Sequence, residues 1–153
     1  MIIRDALKGV SRLYVETAPF IYYLESYPVF LEKMRYVFTR LDAGDFDIFT
    51  CPVTLTETLV KPVKDIDDVL VEQYKDVFFR TEGIAVLPMS ANAGEIAAEL
   101  RAKYGLKTPD ALHIASAIDS DCDAFLTNDK ALKRVTEIRV LVLDDLELDD
   151  PEA

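Results

Sequence analysis

The stretch "RLYVETAPFIYYLES", residues 12–26, places an acidic residue at the end of a short apolar strand. We predict a strand over Leu13–Val15 and then a helix, with Thr17 as its N-cap and Pro19 in its first turn. Glu16 lies at the junction between the two, in a position half removed from water. A charge in such a position is unfavourable unless something pairs with it, so the rest of the fold has to supply that partner.

The bulk composition predicts one folded domain, and we take residues 1–153 as that domain. Half of the residues are hydrophobic and five are glycine, which is typical of a globular protein. No apolar run approaches the ~20 residues of a membrane helix, and "MIIRDALKGVSR" at the start lacks the apolar core of a secretory signal. The separated cysteines, Cys51 and Cys122, favour a reduced cytoplasmic protein in which both are small buried hydrophobic residues.

The net charge of −11 argues by itself against a nucleic-acid partner. Residues 144–153, "DDLELDDPEA", form an acidic C-terminal tail with six acids and no base, and without them 22 acids remain against 17 bases. Cations bound by some of the remaining acids would offset more of the charge, so a local basic rim can exist. Its members can equally be scattered solvated charges; the candidates are Lys61, Lys64, Arg101, Lys103, Lys107, Lys130, Lys133 and Arg134.

Strand and helix patterns alternate along the chain, which predicts an α/β fold with a parallel sheet covered by helices on both faces. The predicted strands are "RLYV", "DIFTCP", "IAVLP", "AFLT" and "IRVLVL". Among the helices, we expect one to begin at Pro28, one to end near Pro62, one to run from Ser90 to Gly105, and one to begin at Thr108 as N-cap. Sheets of this kind bind ligands beyond the carboxyl ends of their strands, where the strand order reverses.

Four acids fall near those strand ends or in the helices that follow them, namely Glu16, Glu57, Asp110 and Asp129. Gathered in one crevice they would repel one another unless a cation intervened. A ligand set made of carboxylate oxygens disfavours structural zinc and suits Mg²⁺ or Mn²⁺. Such an ion can activate a water molecule and stabilise charge on a phosphate during an in-line displacement.

Some of these residues also have an interpretation without catalysis, whereas Glu16 and Asp129 lie where the fold directs both toward one crevice. Asp110 alone could stabilise a helix N-terminus, and Glu57 alone could be a solvated helix acid. His113, three residues after Asp110, is more often a packed core residue than a ligand. The aromatic cluster is more often packing, or a subunit contact, than a base-stacking platform; it contains Tyr14, Phe20, Tyr22, Tyr23 and Tyr27.

Four segments in order resemble the motifs of the PIN domain family, in the small stand-alone form typical of VapC-type toxins. They are "YVETAPFIYYLE", "VTLTETLVKP", "TPDALHIASAI" and "AFLTNDKAL", and together they extend the resemblance over nearly the whole chain. The resemblance implies a five-stranded parallel sheet of order 3-2-1-4-5. It also implies a Mg²⁺- or Mn²⁺-dependent endoribonuclease, a homodimer, and an RNA-cleaving toxin that a small antitoxin protein holds inactive.

Carried over by motif, the family's catalytic and metal-binding acids fall on Glu16, Glu57, Asp110 and Asp129. Thr17, Thr127 and Asn128 would then contact the substrate or support these acids. The chain departs from the family at Glu16, where Asp is usual. The longer side chain moves the carboxylate by about 1.5 Å, one C–C bond. A shift of this size could disturb the octahedral geometry of a Mg²⁺ site.

Other functions compete with the nuclease. A PIN module with little or no catalytic activity, which only binds RNA or a protein partner, is favoured by Glu16. A phospho-accepting receiver domain needs an Asp ending strand three and a Lys ending strand five, and "IAVLPMS" and "VLVLDDL" supply neither. A phosphatase with two Asp flanking one residue after strand one is excluded by "VET".

Overall fold

Five short strands form one parallel sheet in the computed structural model, which describes residues 1–149. Their order across the sheet is 3-2-1-4-5, so the α/β prediction and the implied strand order are both confirmed. The strands are β1 (Arg12–Val15), β2 (Asp47–Thr50), β3 (Ile84–Val86), β4 (Ala124–Thr127) and β5 (Arg139–Val142).

Helices lie on both faces of this sheet. They are α1 (Ile3–Ala6), α2 (Thr17–Leu24), α3 (Leu31–Asp42), α4 (Pro52–Lys64), α5 (Asp68–Arg80), α6 (Ala91–Tyr104) and α7 (Thr108–Asp119). Two short 3₁₀ helices follow at Lys130–Arg134 and Leu143–Asp145.

Alternate residues of each strand enter two separate hydrophobic cores, because successive side chains of a strand point to opposite faces. In β1, Leu13 and Val15 pack with apolar residues of α1, α2, α3 and α5. Tyr14, between them, packs on the other face with α6 and α7, and its ring stacks on Phe125 of β4 at 5.2 Å. Both faces of the central strands are therefore buried, as the continuous apolar runs predicted.

The strand register brings the carboxyl ends of the central strands to one level. Tyr14 pairs with Phe49 of β2 and with Phe125 of β4, and Val15 pairs with Leu126. The chain order reverses between β1 and β4, which lie side by side although paired residues such as Leu13 and Ala124 are 111 residues apart in sequence. The residues that follow β1 and β4 therefore face the same crevice.

Two helix ends differ from the sequence prediction. The helix α3 begins at Leu31 rather than Pro28, because Val29 adopts a left-handed conformation with φ of +75° that a helix cannot contain. The helix α4 passes through Pro62 to Lys64. Pro62 is buried and lies in the last turn, where a missing N–H removes only one helical hydrogen bond.

The predicted N-caps Thr17 and Thr108 are both the first helical residue instead, and Glu16 and Lys107 occupy the cap positions without side-chain capping bonds. By contrast, the Ser90 hydroxyl accepts a hydrogen bond from the Ala93 amide at 3.0 Å, as predicted. Gly105 ends that helix with φ of +67°, a conformation that glycine adopts at little steric cost.

The described part of the acidic C-terminal segment packs against the rest of the fold. Residues 150–153 of the predicted tail lie outside the described residues. Before them, Leu146 is buried, the Ile3 amide donates to the Glu147 carbonyl at 2.8 Å, and the Glu147 amide donates to the Met1 carbonyl at 2.9 Å. The start of the tail is thus fastened to the N-terminus.

Two further sequence expectations have structural outcomes. Cys51 is buried as predicted and Cys122 is half-buried, and both thiols are free. Among residues 1–149, the helices are all too short or too polar to cross a bilayer.

Candidate active site

Glu16 is a buried carboxylate at the carboxyl end of β1, with 7% of its surface exposed. Its Oε1 accepts a hydrogen bond from the hydroxyl of Thr127, which ends the neighbouring strand β4. Burial raises the pKa of Glu16; the Thr127 bond opposes this, and the nearby Asp110 and Asp129 add to it. No lysine or arginine within residues 1–149 forms an ion pair with Glu16, so its partner in the protein is a neutral hydroxyl.

Thr127 also fixes the chain that leads to Asp129. While donating to Glu16, its hydroxyl oxygen accepts a hydrogen bond from the Asp129 amide at 2.9 Å. One oxygen of Asp129, Oδ1, then caps the following 3₁₀ helix by accepting from the Ala131 amide at 2.9 Å. Thr127 therefore links two of the four predicted acids through one buried side chain.

Asp110 stands half-buried in the first turn of α7, beside the same crevice. Burial raises the pKa of Asp110, and the charge of Asp129 raises it further, whereas His113 and Lys107 lower it. The charge of Asp129 thus disfavours ionisation of both Glu16 and Asp110, and Asp110 adds to the effect on Glu16.

Glu57 is held in place by two side chains from other helices. Its Oε1 accepts a hydrogen bond from the Thr17 hydroxyl at 2.8 Å and lies 2.8 Å from Nε2 of His113. Its pKa is lowered, first by the hydrogen bond with His113 and despite partial burial. Thr17 therefore serves Glu57 rather than the helix N-terminus assigned to it from sequence.

His113 is buried, as expected for a core residue, but it does not bond a backbone carbonyl. Its Nδ1 lies 2.8 Å from the hydroxyl of Tyr14, opposite the contact with Glu57. Burial favours the neutral ring, but the hydrogen bonds with Cys51 and Glu57 outweigh it and raise the pKa of His113 to about 9. The signal in the sequence was the position of the single histidine, one helical turn after Asp110.

Asn128 has both ends of its side chain occupied by structural contacts. Its amide donates to the Tyr22 hydroxyl at 3.1 Å, and its carbonyl oxygen accepts from the Asp144 amide at 2.8 Å. It thereby joins the end of β4 to α2 and to the segment after β5. A direct role toward substrate stays a prediction for this residue.

The acids approach one another without forming a closed ligand cage. Within residues 1–149, no three side chains of Asp, Glu, His or Cys converge closely enough to hold a metal ion as they stand. The donor chemistry nevertheless suits a hard divalent cation, because the available groups are carboxylates and two of them have raised pKa values. Binding would require these side chains to close on the ion.

Some of the basic residues near the site are already neutralised. Lys130 pairs with Asp144 at 3.0 Å, and Lys133 pairs with Asp145 at 2.7 Å. Lys103 likewise pairs with Glu137 at 3.1 Å. The other candidates form no ion pair with the part of the chain described here; they are Lys61, Lys64, Arg101, Lys107 and Arg134.

Comparison with known proteins agrees with this architecture. A family model for the PIN domain matches residues 13–138, a range that contains all four acids. No curated protein sequence matches the chain significantly.

Several solved structures share the fold. VapBC2 from Rickettsia felis, bound to a DNA fragment from its promoter, is 17% identical with a TM-score of 0.69, over 86% of this chain and 98% of that one. A toxin-antitoxin complex from Klebsiella pneumoniae is 20% identical with a TM-score of 0.63, over 87% and 98%. VapC20 of Mycobacterium tuberculosis, a sarcin-ricin loop cleaving toxin, is 13% identical with a TM-score of 0.63, over 83% and 98%. At these identities the likeness shows the fold.

The crowding of acids predicts that Asp110→Asn stabilises the metal-free protein. A carboxyl whose pKa is raised by folding makes the native state less stable once the pH exceeds that pKa. At pH 7 we expect the free energy of unfolding to rise by about 0.5–1 kcal/mol, or the melting temperature by about 1–4 °C. Thermal unfolding in EDTA at pH 7 measures this, and the gain should shrink toward pH 3 as the carboxyl is protonated.

Glu95→Gln provides the matched control, since Glu95 is an exposed acid of α6. We expect it to leave the melting temperature unchanged. Destabilisation by Asp110→Asn but not by Glu95→Gln would mean that Asp110 is a structural acid of the α7 N-terminus.

Proposed function

The chain belongs to the PIN domain family, and from this premise we propose that it is a metal-dependent endoribonuclease. The observation that carries the proposal is the crowding of buried Glu16 and half-buried Asp110 with Asp129, which raises the pKa of the first two. An arrangement that is unfavourable for the protein alone becomes favourable when a divalent cation binds. Its place beyond the carboxyl ends of β1 and β4 is where such sheets bind ligands.

The residues that would hold Mg²⁺ or Mn²⁺ are Glu16, Glu57, Asp110 and Asp129. When bound, the ion would activate a water molecule and stabilise the charge that develops on the phosphate. Thr127 orients Glu16, while Thr17 and His113 orient Glu57. His113 is buried and engaged on both ring nitrogens, so it is not free to act as a general base on the substrate.

The phosphates of the RNA backbone would bind to the basic residues that form no ion pair within residues 1–149. Lys107 precedes the helix of Asp110 and already lowers the pKa of that carboxyl, which places its charge at the crevice. Lys61 and Lys64 lie in the last turn of α4, the helix of Glu57. Each phosphate contact of this kind adds sequence-independent affinity that falls as salt is raised.

We further propose that the enzyme is the toxin of a type II toxin-antitoxin pair. The solved structures that share its fold include toxin-antitoxin complexes and a sarcin-ricin loop cleaving toxin, which supports this assignment. The partner would be a small antitoxin protein that covers the site.

The helix α4 offers a surface for that antitoxin. Six of its residues line an open apolar groove of about 510 Å³: Leu55, Thr56, Leu59, Val60, Val63 and Lys64. Val60 is 60% exposed and Val63 is 61% exposed, so the groove presents adjoining apolar side chains that a partner could cover. Because Glu57 lies on the same helix, an apolar segment seated in the groove would lie next to the site.

Three other features belong to the same proposal. We take the chain to be one PIN domain with an acidic C-terminal tail, working in the cytoplasm as a homodimer. Exposed apolar residues around α5, such as Ile66, Val69 and Phe79, are available for a subunit contact. Light scattering of the purified chain measures the dimer directly, and a monomer at micromolar concentration would contradict it.

A second candidate function is a PIN module that binds RNA or a protein partner without cleaving. Two observations favour it. Glu16 replaces the usual Asp and turns its Oε1 toward Thr127, and within residues 1–149 no three ligands are already assembled. In this second candidate the protein has the same fold and binds the same class of partner, but it does not cleave RNA.

Cleavage of a mixed structured RNA tests the nuclease. With Mg²⁺ or Mn²⁺ we expect internal cuts that EDTA abolishes, and Asp110→Asn or Asp129→Asn should reduce the rate by about 100-fold or more, since the metal supplies several kcal/mol. Asp121→Asn is the matched control, because Asp121 is exposed, precedes β4 at the opposite end of the sheet, and has a φ of +56° that Asn tolerates. Equal activity in all three variants would reveal a contaminating nuclease.

Changes at Glu16 distinguish the two candidates. If the site is active, Glu16→Gln should lower cleavage by roughly 100-fold, because the ligand charge is lost. If the site is silent because its carboxylate reaches too far, Glu16→Asp should create metal-dependent cleavage where the wild type has none. Cleavage that neither change affects would remove Glu16 from the metal site.

The antitoxin surface is tested by co-purification of the tagged chain with the products of its neighbouring genes. We expect a small protein to co-purify with the wild type, and Val60→Asp to weaken its retention by tenfold or more, since a charge enters an apolar contact. Val29→Asp, between α2 and α3, is the control, because Val29 is 73% exposed and belongs to neither proposed contact. If both variants retain the small protein equally poorly, or both retain it as well as the wild type, the contact does not lie on α4.

A further inference from the structure

Glu57 is the one site acid whose position is set by a chain of side chains from three other elements. Tyr14 of β1 contacts Nδ1 of His113 on α7 at 2.8 Å, and Nε2 of the same ring contacts Glu57 of α4 at 2.8 Å. Thr17 of α2 completes the set by donating to the same oxygen, Oε1, at 2.8 Å. The chain of contacts runs from the buried sheet to the surface of the crevice.

The two ring contacts fix the direction of the hydrogen bond to Glu57. An ionised carboxylate only accepts, so Nε2 has to carry the hydrogen and donate it. The Tyr14 hydroxyl can accept from a protonated Nδ1 or donate to a bare one, so it satisfies Nδ1 in either state. Tyr14 therefore holds the ring orientation that presents Nε2–H to Glu57, whatever the charge of the ring.

The ring has little freedom to turn away from Glu57. His113 has 2% of its surface exposed, and Tyr14 is fully buried and stacked on Phe125 with an angle of 6° between the rings. The Tyr14 and His113 rings pack edge to face with centroids 6.0 Å apart. Glu57 itself is 40% exposed at its side chain, so without these contacts it would be a mobile surface glutamate.

We propose that His113, anchored by Tyr14, is a positioning residue that holds Glu57 ready for the divalent ion. The inference rests on the proposed function for the ion, but the contact chain exists in the protein alone. With Oε1 committed to His113 and Thr17, Oε2 accepts no hydrogen bond within residues 1–149 and is the oxygen left for the metal. Partners of this kind, bonded to a ligand rather than to the metal, commonly change metal affinity by about 10- to 100-fold.

Two measurements test the positioning role. In the metal-free protein, three-bond couplings of the Glu57 side chain should show one rotamer in the wild type and averaging in His113→Leu. In titrations with Mn²⁺ alone, followed by electron paramagnetic resonance, His113→Leu should bind about tenfold more weakly or worse. The chain has one histidine, so its ring resonances also report the contact without ambiguity.

Further variants separate positioning from general damage. His113→Gln keeps an N–H for Glu57 and a carbonyl for Tyr14, so it should restore most of the affinity. Tyr14→Phe keeps the stacked ring and removes only the hydroxyl, and it serves as the test if His113→Leu does not fold. Thr58→Val is the control, because the buried Thr58 hydroxyl of α4 bonds only backbone carbonyls, at 2.8 and 3.3 Å.

The outcomes distinguish this inference from the proposed function. A single Glu57 rotamer and unchanged Mn²⁺ affinity in a folded His113→Leu or Tyr14→Phe protein would overturn the positioning role, even in an active nuclease. A wild type that binds no Mn²⁺ would overturn the proposed metal site, and Glu57 would then not be positioned for a metal. The three-bond couplings would still show whether His113 holds Glu57 in one rotamer. If Thr58→Val also weakens Mn²⁺ binding, the weaker binding of His113→Leu would be explained by loss of α4 stability rather than by loss of positioning.

Discussion

The constraint on which this structure depends is the burial of the Glu16 carboxylate at the seam between β1 and β4. The chain order reverses at this seam, so two strands distant in sequence end side by side, at the place where such sheets bind ligands. Glu16 receives one neutral hydrogen bond from Thr127, and its nearest charged neighbours include two further acids. The fold tolerates this arrangement because its two hydrophobic cores, one on each face of the sheet, stabilise the strands that carry the acids.

The acids divide into two kinds with different electrostatics. Glu16 and Asp110 have raised pKa values, because burial first and the charge of Asp129 in addition disfavour their ionisation. Glu57 has a lowered pKa, because His113 supplies a hydrogen and a compensating charge. Ionisation is therefore disfavoured at Glu16 and Asp110, whereas at Glu57 it is already favoured by the contact with His113. A bound metal ion would relieve the electrostatic repulsion mainly at Glu16 and Asp110. Glu57 would face the ion in the orientation set by Thr17 and His113.

The sequence predicted those parts of the molecule that depend on local pattern. Strands with continuous apolar runs gave the buried parallel sheet, and the acids that follow them lie at its carboxyl edge. The strand order came from the resemblance, since no local pattern determines which strands are neighbours. The prediction of Thr17 as an N-cap was wrong: Thr17 is the first helical residue, and its hydroxyl donates to Glu57, which lies 40 residues away in sequence. The role of His113 was likewise hidden, because its partners lie 99 and 56 residues away.

The charge of the chain is compatible with an RNA substrate because of where its acids lie. Asp144 and Asp145, which begin the acidic C-terminal segment, pair with Lys130 and Lys133 just after the site. These ion pairs are exposed, and exposed pairs contribute only about 0–1 kcal/mol. A phosphate backbone can therefore compete with them for the same lysines at little energetic cost. In the proposed complex with RNA, Asp144 and Asp145 would act as weak, replaceable counter-charges, and a protein of net charge −11 would then present a basic surface to the polyanion.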